Sequence, residues 1–294
     1  MNLDHVLARI AALPPMPGVA VQLLKAARDP DVDMANVARW IEHDPSMTAN
    51  LLHFCNSPFY GLKRQVTSVR QAASILGMKQ VVQMTLTVLS TGYLAPEQPG
   101  YALSYGDLWR NSVAAAVACE LIATHSRYEN PATAYTAGLL QDIGKIVLAE
   151  FVGAFKTRVY ALAEEQSIGF DDAERRLVGA SHAEVGALLL ARWGFPEALV
   201  ESVKFHHDPA GATLDPALSR LSHLADAITI TAGIGMGMDG LAYRLDEEAA
   251  RALGLSDPAR VMSLMEEFAL KLQKAESLFA TVREPAPRTR NRCV

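Results

Sequence analysis

Apolar residues recur every three or four positions along most of the chain, and no stretch alternates in the two-residue rhythm of a strand closed by a hairpin turn. The spacing predicts helices over 3–12, 19–27, 34–42, 68–76, 81–89, 108–125, 135–151, 155–166, 216–231 and 258–280. Punctuation between them agrees. Pro14-Pro15 and Asp29-Pro30 break the early helices, and Asp33 and Ser68 are placed as N-caps. Asp44-Pro45 opens a helix with the apolar stripe Met47, Leu51, Leu52 and Cys55, an acid at the cap followed by proline in the first turn. Ser181-His182-Ala183-Glu184 has the spacing of a capping box, which puts His182 in a first turn with Val185 and Leu189 on its side. Gly194-Phe195-Pro196 starts another helix, and His206-His207-Asp208-Pro209 ends it. The last helix is expected to pack Val261, Leu264, Met265 and Leu270.

An all-α fold follows. The division it suggests is an N-terminal helical subdomain over 1–100, a second helical subdomain over 101–232, a loop and helical extension over 233–282, and a flexible tail over 283–294 rich in Arg and Pro. The glycines at 233, 235 and 237 have dinucleotide-like spacing. They follow a helix rather than a strand, so the stretch reads as a linker.

Composition narrows the classes. With half its 294 residues hydrophobic and a fifth charged, the chain suits a soluble globular protein. A net charge of −5 supplies no positive field for nucleic acid. Cys55, Cys119 and Cys293 fit neither a disulfide framework nor a zinc spacing, and the N-terminus, with Asp4, His5 and Arg9, lacks the grading of a signal peptide. No apolar run spans a bilayer, so the expected home is the cytoplasm.

The chemistry gathers around Gly138-Leu139-Leu140-Gln141-Asp142-Ile143-Gly144-Lys145, where an acid interrupts a segment otherwise fit for burial. A carboxylate ionised in a core needs a partner, a hydrogen bond or a cation. His182, His206, His207 and Asp226 follow in order. Upstream, Asn111 lies on the buried face of its helix. His43-Asp44 is a second His-Asp pair, better explained by the cap, and His5, His53, His125 and His223 read as structural or surface residues.

That order resembles the HD superfamily of metal-dependent phosphohydrolases, in which a helix His, a His-Asp pair and a later Asp hold a metal. Here Gln141-Asp142 stands at the pair and Asn111 at the first His. With two imidazoles absent, the chain is more similar to the HDOD family, the HD-related output domain of bacterial signalling proteins. Leu13-Pro14-Pro15-Met16-Pro17, Asp44-Pro45 and Asn56-Ser57-Pro58-Phe59-Tyr60-Gly61 resemble that family's landmarks in the N-terminal half. The resemblance implies a non-catalytic signalling module that meets protein partners in trans or a small effector. The alternative is a metal-dependent phosphohydrolase. It also implies a vestigial HD site at Asn111, Gln141, Asp142 and Asp226 that needs no cofactor, and a candidate divalent-metal site at Asp142, His182, His206 and His207. Amide oxygens are weak ligands for first-row metals, so the vestigial site is expected to bind poorly. The Gly-Tyr-Pro signature of cyclic-di-GMP phosphodiesterases is absent.

Overall fold

Caps and prolines set the helix ends where the sequence marks them. The computed structural model describes residues 3–28, 34–235 and 237–279. The expected break at Asp29-Pro30, the Asp33 cap, Cys293 and the 283–294 tail lie outside those residues. Helix α1 (Leu3–Ala12) lies against the later helices Lys145–Gln166 and His182–Arg192, while α2 (Gly18–Arg28), α3 (Met34–Glu42), α4 (Pro45–Cys55), α5 (Val69–Leu76) and α6 (Met78–Leu94) pack among themselves. Asp44 accepts from Ser46 N at 2.8 Å and Met47 N at 3.1 Å, and Ser68 accepts from Gln71 N at 3.1 Å. Each such cap contributes about 1 kcal/mol. Helix α6 also touches α7 (Asp107–His125) and α8 (Pro131–Leu140).

Helices α9 (Lys145–Gln166) and α10 (Phe170–Val178) are joined by α11 (His182–Arg192) to α12 (Glu197–Lys204), α12 packs on α8 and α13 (Pro216–Thr231), and α13 packs on α7 and α8. The chain closes with α14 (Glu247–Ala252) and α15 (Pro258–Phe279). No strand occurs among the described residues. None of their helices is long and apolar enough to cross a membrane.

Four sequence expectations change. The helix placed over 135–151 is two helices broken at 141–144, and the one placed over 155–166 is the second half of α9. Helix α10 was not foreseen. Residues 233–235 and 237–240 belong to a packed strap: Asn111 Nδ2 donates to Ile234 O at 3.0 Å, and a 3-10 turn follows at Met238–Ala242. Helix α15 buries Leu264, Phe268, Ala275 and Phe279, while Val261 and Leu270 are exposed. Its phase is set by aromatic contact, since Phe279 meets Trp109 edge-on at 5.8 Å and Trp109 meets Phe54 at 6.4 Å. Phe54 in turn contacts Tyr60 at 6.4 Å, and Phe59 packs on Tyr60 at 4.6 Å. This aromatic series ties the 56–62 turn, α4, α7 and α15 together.

Candidate metal centre

The break between α8 and α9 is what brings the site together. Gly138 lies so close to α7 that a Cβ would fall 2.5 Å from the Ala115 carbonyl oxygen. At Gly144 a Cβ would land on the His182 carbonyl oxygen. These two glycines let the 141–144 turn enter between α7 and α11, carrying Asp142 against the first turn of α11. The capping box fixes that first turn: Glu184 N donates to Ser181 Oγ at 3.2 Å, and Ser181 N to Glu184 Oε2 at 2.8 Å. His206 and His207 arrive from the end of α12, and Asp226 from the buried face of α13.

Three imidazoles converge. One nitrogen each of His182, His206 and His207 lies within 4.8 Å of the other two. Asp142 Oδ1 stands 3.4 Å from His182 Nε2 and 4.0 Å from His206 Nε2. Two of the rings are aimed by their other side. His206 Nδ1 donates to Val203 O at 2.7 Å, leaving its buried Nε2 without a partner. His182 Nδ1 lies 2.7 Å from Glu174 Oε2, which also accepts from His182 N at 2.8 Å. Tyr101 Oη donates to Glu174 Oε1 at 2.5 Å. A carboxylate behind a ligating imidazole fixes its tautomer and orientation.

The charges sort accordingly. Burial lowers the pKa of His206 to about 3, assisted by neighbouring His182, so the ring is neutral. Burial and the adjoining imidazoles push His207 down as well. Burial also opposes the charge on His182, but Glu174 overrides it and raises this pKa to about 9. Asp142 is buried, which disfavours its ionised form, yet Lys145 and the imidazoles hold its pKa below the ordinary carboxylate range.

The other half of the centre is closed by amides. Gln141 Nε2 donates to Asp226 Oδ1 at 3.0 Å, and Asn111 turns its amide toward Ile234. Burial and nearby Asp142 raise the Asp226 pKa to about 8. Lys145 lies between two carboxylates, 2.8 Å from Asp142 Oδ1 and 2.5 Å from Asp239 Oδ2. A cavity of about 260 Å³ opens in front of His182 and His207. Its lining includes Asp171, Asp172, Asp208 and Asp239 against Arg175 and Arg244, and Arg175 is already shared by Asp172, Glu184 and Asp171.

The donor set fits one divalent ion. The buried, unpartnered Nε2 of His206 accompanies Asp142 Oδ1 and the Nε2 atoms of His182 and His207, which lie 2.9 Å apart and share one hydrogen bond. Imidazole and carboxylate suit a first-row dication. A second ion has no comparable set, because Gln141 and Asn111 offer neutral amides and Asp226 is bonded to Gln141. Of the residues singled out from the sequence, Asp142, His182, His206 and His207 come together. Gln141 and Asp226 pair beside them, and Asn111 is drawn to the strap. His223 is a buried structural residue, its Nδ1 2.8 Å from His206 O and its Nε2 accepting from Asp246 N at 2.8 Å. Glu174 and Asp239 were missed. The only signal for Glu174 was its place on the i, i+3, i+4, i+8 face with Phe170, Ala173 and Val178. Asp239 gave none, being in a glycine-rich stretch.

A helical fold that draws an Asp turn, three histidines and a later Asp together resembles a domain of the HD type. The chain belongs to the HDOD family, whose domain model matches residues 13–209. An HDOD domain protein of unknown function from Geobacter sulfurreducens is similar over 96% of this chain and 97% of its own, at 25% identity and a TM-score of 0.69. A candidate phosphohydrolase from Shewanella amazonensis shares the fold with a TM-score of 0.72 at 22% identity, over 95% of this chain and 98% of its own. Among curated relatives, an uncharacterized Treponema pallidum protein is 22% identical over 200 residues, 68% of this chain and 38% of its own length. The cyclic di-GMP phosphodiesterase CdgJ of Vibrio cholerae is 29% identical over 112 residues, 38% of this chain and 24% of its own. The chain thus spans well under half the length of both.

Proposed function

We propose that this HDOD protein is a non-catalytic signal-transduction module that binds protein partners or a small effector and retains one divalent-metal position in its core. The observation that carries this reading is the Gln141–Asp226 hydrogen bond, which commits the Asp that would serve a second ion to a neutral amide. Two-ion phosphoester hydrolysis clamps both the attacking and the leaving oxygen, and one position here has lost its ligands. The acidic lining of the cavity adds a repulsion that a phosphodiester would have to overcome. A metal at the His182, His206 and His207 group would supply rigidity to the junction of α9, α11 and α12. The residues themselves hold it: Glu174 orients His182, Val203 O orients His206, and Asp142 contributes charge.

The reading is tested by adding manganese, iron(II) or zinc to the protein with cyclic di-GMP or bis(p-nitrophenyl) phosphate. The expected result is no turnover above the metal-only blank. Multiple turnover that disappears in Asp142→Asn would replace it with the second reading, a metal-dependent phosphohydrolase, which the convergent imidazoles favour.

A further inference from the structure

Lys145 is a buried cation in a centre otherwise built to take one. Its Nζ holds Asp142 Oδ1, the same oxygen that faces the Nε2 atoms of His182 and His206. Its second partner, Asp239, is not part of the helical core; it sits on the strap that runs from α13 to α14. That strap is fastened at four points. Ile234 O accepts from Asn111, Asp239 meets Lys145, Tyr243 Oη donates to His223 O at 2.6 Å, and Asp246 N donates to His223 Nε2. Tyr243 also stacks on His223, with ring centroids 5.4 Å apart, and lies edge-on to His207 at 6.1 Å. Backbone geometry seats it closely: Gly235 has φ +54, and a Cβ on Gly237 would come within 2.7 Å of Tyr101 O.

We propose that Lys145 is a movable internal counter-ion: a divalent cation seated among His182, His206 and His207 takes Asp142 from it, leaving Asp239 as its carboxylate and fixing the strap over the site. The proposal rests on the metal position of the preceding reading. Its physical basis is competition. One carboxylate oxygen cannot serve an ammonium and a dication at close range without strong repulsion between them, and the dication carries the larger charge. A buried ammonium that loses one counter-charge depends more on the other. Linkage then makes the effect reciprocal, so whatever holds the strap closed also strengthens cation binding. Metal occupancy is thereby passed to α14, which the strap leads into.

The test uses the full chain with zinc, titrated calorimetrically, and hydrogen–deuterium exchange over 237–246 with and without the ion. Zinc is expected to slow exchange in this segment at least several-fold in the wild type. Lys145→Met, which removes the competitor, should bind zinc about tenfold tighter and lose the zinc-dependent protection of the strap. Asp239→Asn should bind zinc more weakly and show the same loss of protection. Because Lys145→Met exposes two carboxylates to each other, its melting temperature is recorded alongside, and Asp239→Asn carries the test if that variant does not fold. Zinc binding with unchanged strap exchange, or with equal affinity in wild type and the folded variants, would overturn the latch and leave the metal position standing. Failure of zinc to bind any of the proteins would overturn both.

Discussion

The two halves of the candidate centre, one of imidazoles and one of amides, lie on adjoining elements and use their polar atoms in opposite ways. On the imidazole side, two rings are held from behind, His182 by Glu174 and His206 by Val203 O, and His207 meets His182 through Nε2 at 2.9 Å. On the amide side, Gln141 and Asn111 spend their donors on Asp226 and the strap, and each leaves a buried oxygen unpartnered. His207 is partly exposed while Asn111, Gln141 and Asp226 are buried, so burial does not mark out the side that could bind an ion. What separates them is whether the unused atoms converge. The His206 orphan lies in the imidazole cluster that Asp142 Oδ1 also faces, whereas the Asn111 and Gln141 oxygens belong to side chains anchored to the strap and to Asp226.

The comparison can be broken most strongly at His206. His206→Ala should lower zinc affinity by more than the roughly 10–100-fold typical of losing an outer partner, and calorimetry should register no stoichiometric ion. Survival of tight binding would mean the imidazole half is not the site. Next comes Glu174→Gln, which keeps the shape but weakens the hold on His182. Zinc affinity is expected to fall by about 10–100-fold, with the far-ultraviolet spectrum unchanged.

Rebuilding the amide half is a smaller effect. Asn111→His with Gln141→His should add a second, weaker equivalent of manganese or zinc, since both positions already border Asp142 or the strap over it. An unchanged stoichiometry of one would show that the side chains at these positions no longer face the centre.

The smallest expected effect is on stability against pH in metal-free protein. His206, with its folded pKa at about 3, contributes stability that is present above its unfolded value near 6.5 and lost as pH falls toward 3. Asp226, raised from 3.8 to about 8, acts in the other direction: the native state keeps a proton that the unfolded chain releases, so its contribution is lost as pH rises from about 4 to 8. His182, raised to about 9, continues that loss between about 6.5 and 9. The His206 and Asp226 effects oppose each other between about pH 4 and 6.5, and the lowered His207 adds to the rise, so melting temperature in EDTA should peak near pH 6.5. Asp226→Asn should lessen the decline toward pH 8 by a few degrees, consistent with roughly 2–4 °C per kcal/mol for chains of this order of size. An unaltered alkaline slope would show that Asp226 does not carry its proton in the native state.

Much of this was legible because it is local. Caps at Asp44, Ser68 and Ser181 and the 3.6-residue apolar period act within one or two turns, so the helices, the all-α class and the buried face bearing Asn111 follow from the chain itself. The histidine order marked His182, His206 and His207 before any contact was known. The break at 141–144 was not legible, since Leu140, Gln141 and Ile143 continue a helical pattern and only the close approach of Gly144 to α11 explains the turn. The phase of α15 was also decided at a distance, by Phe279 meeting Trp109. Glu174 and Asp239 became site residues for the same reason: a buried carboxylate is given its role by the cation or imidazole that faces it, and those partners, His182 and Lys145, are supplied by other helices.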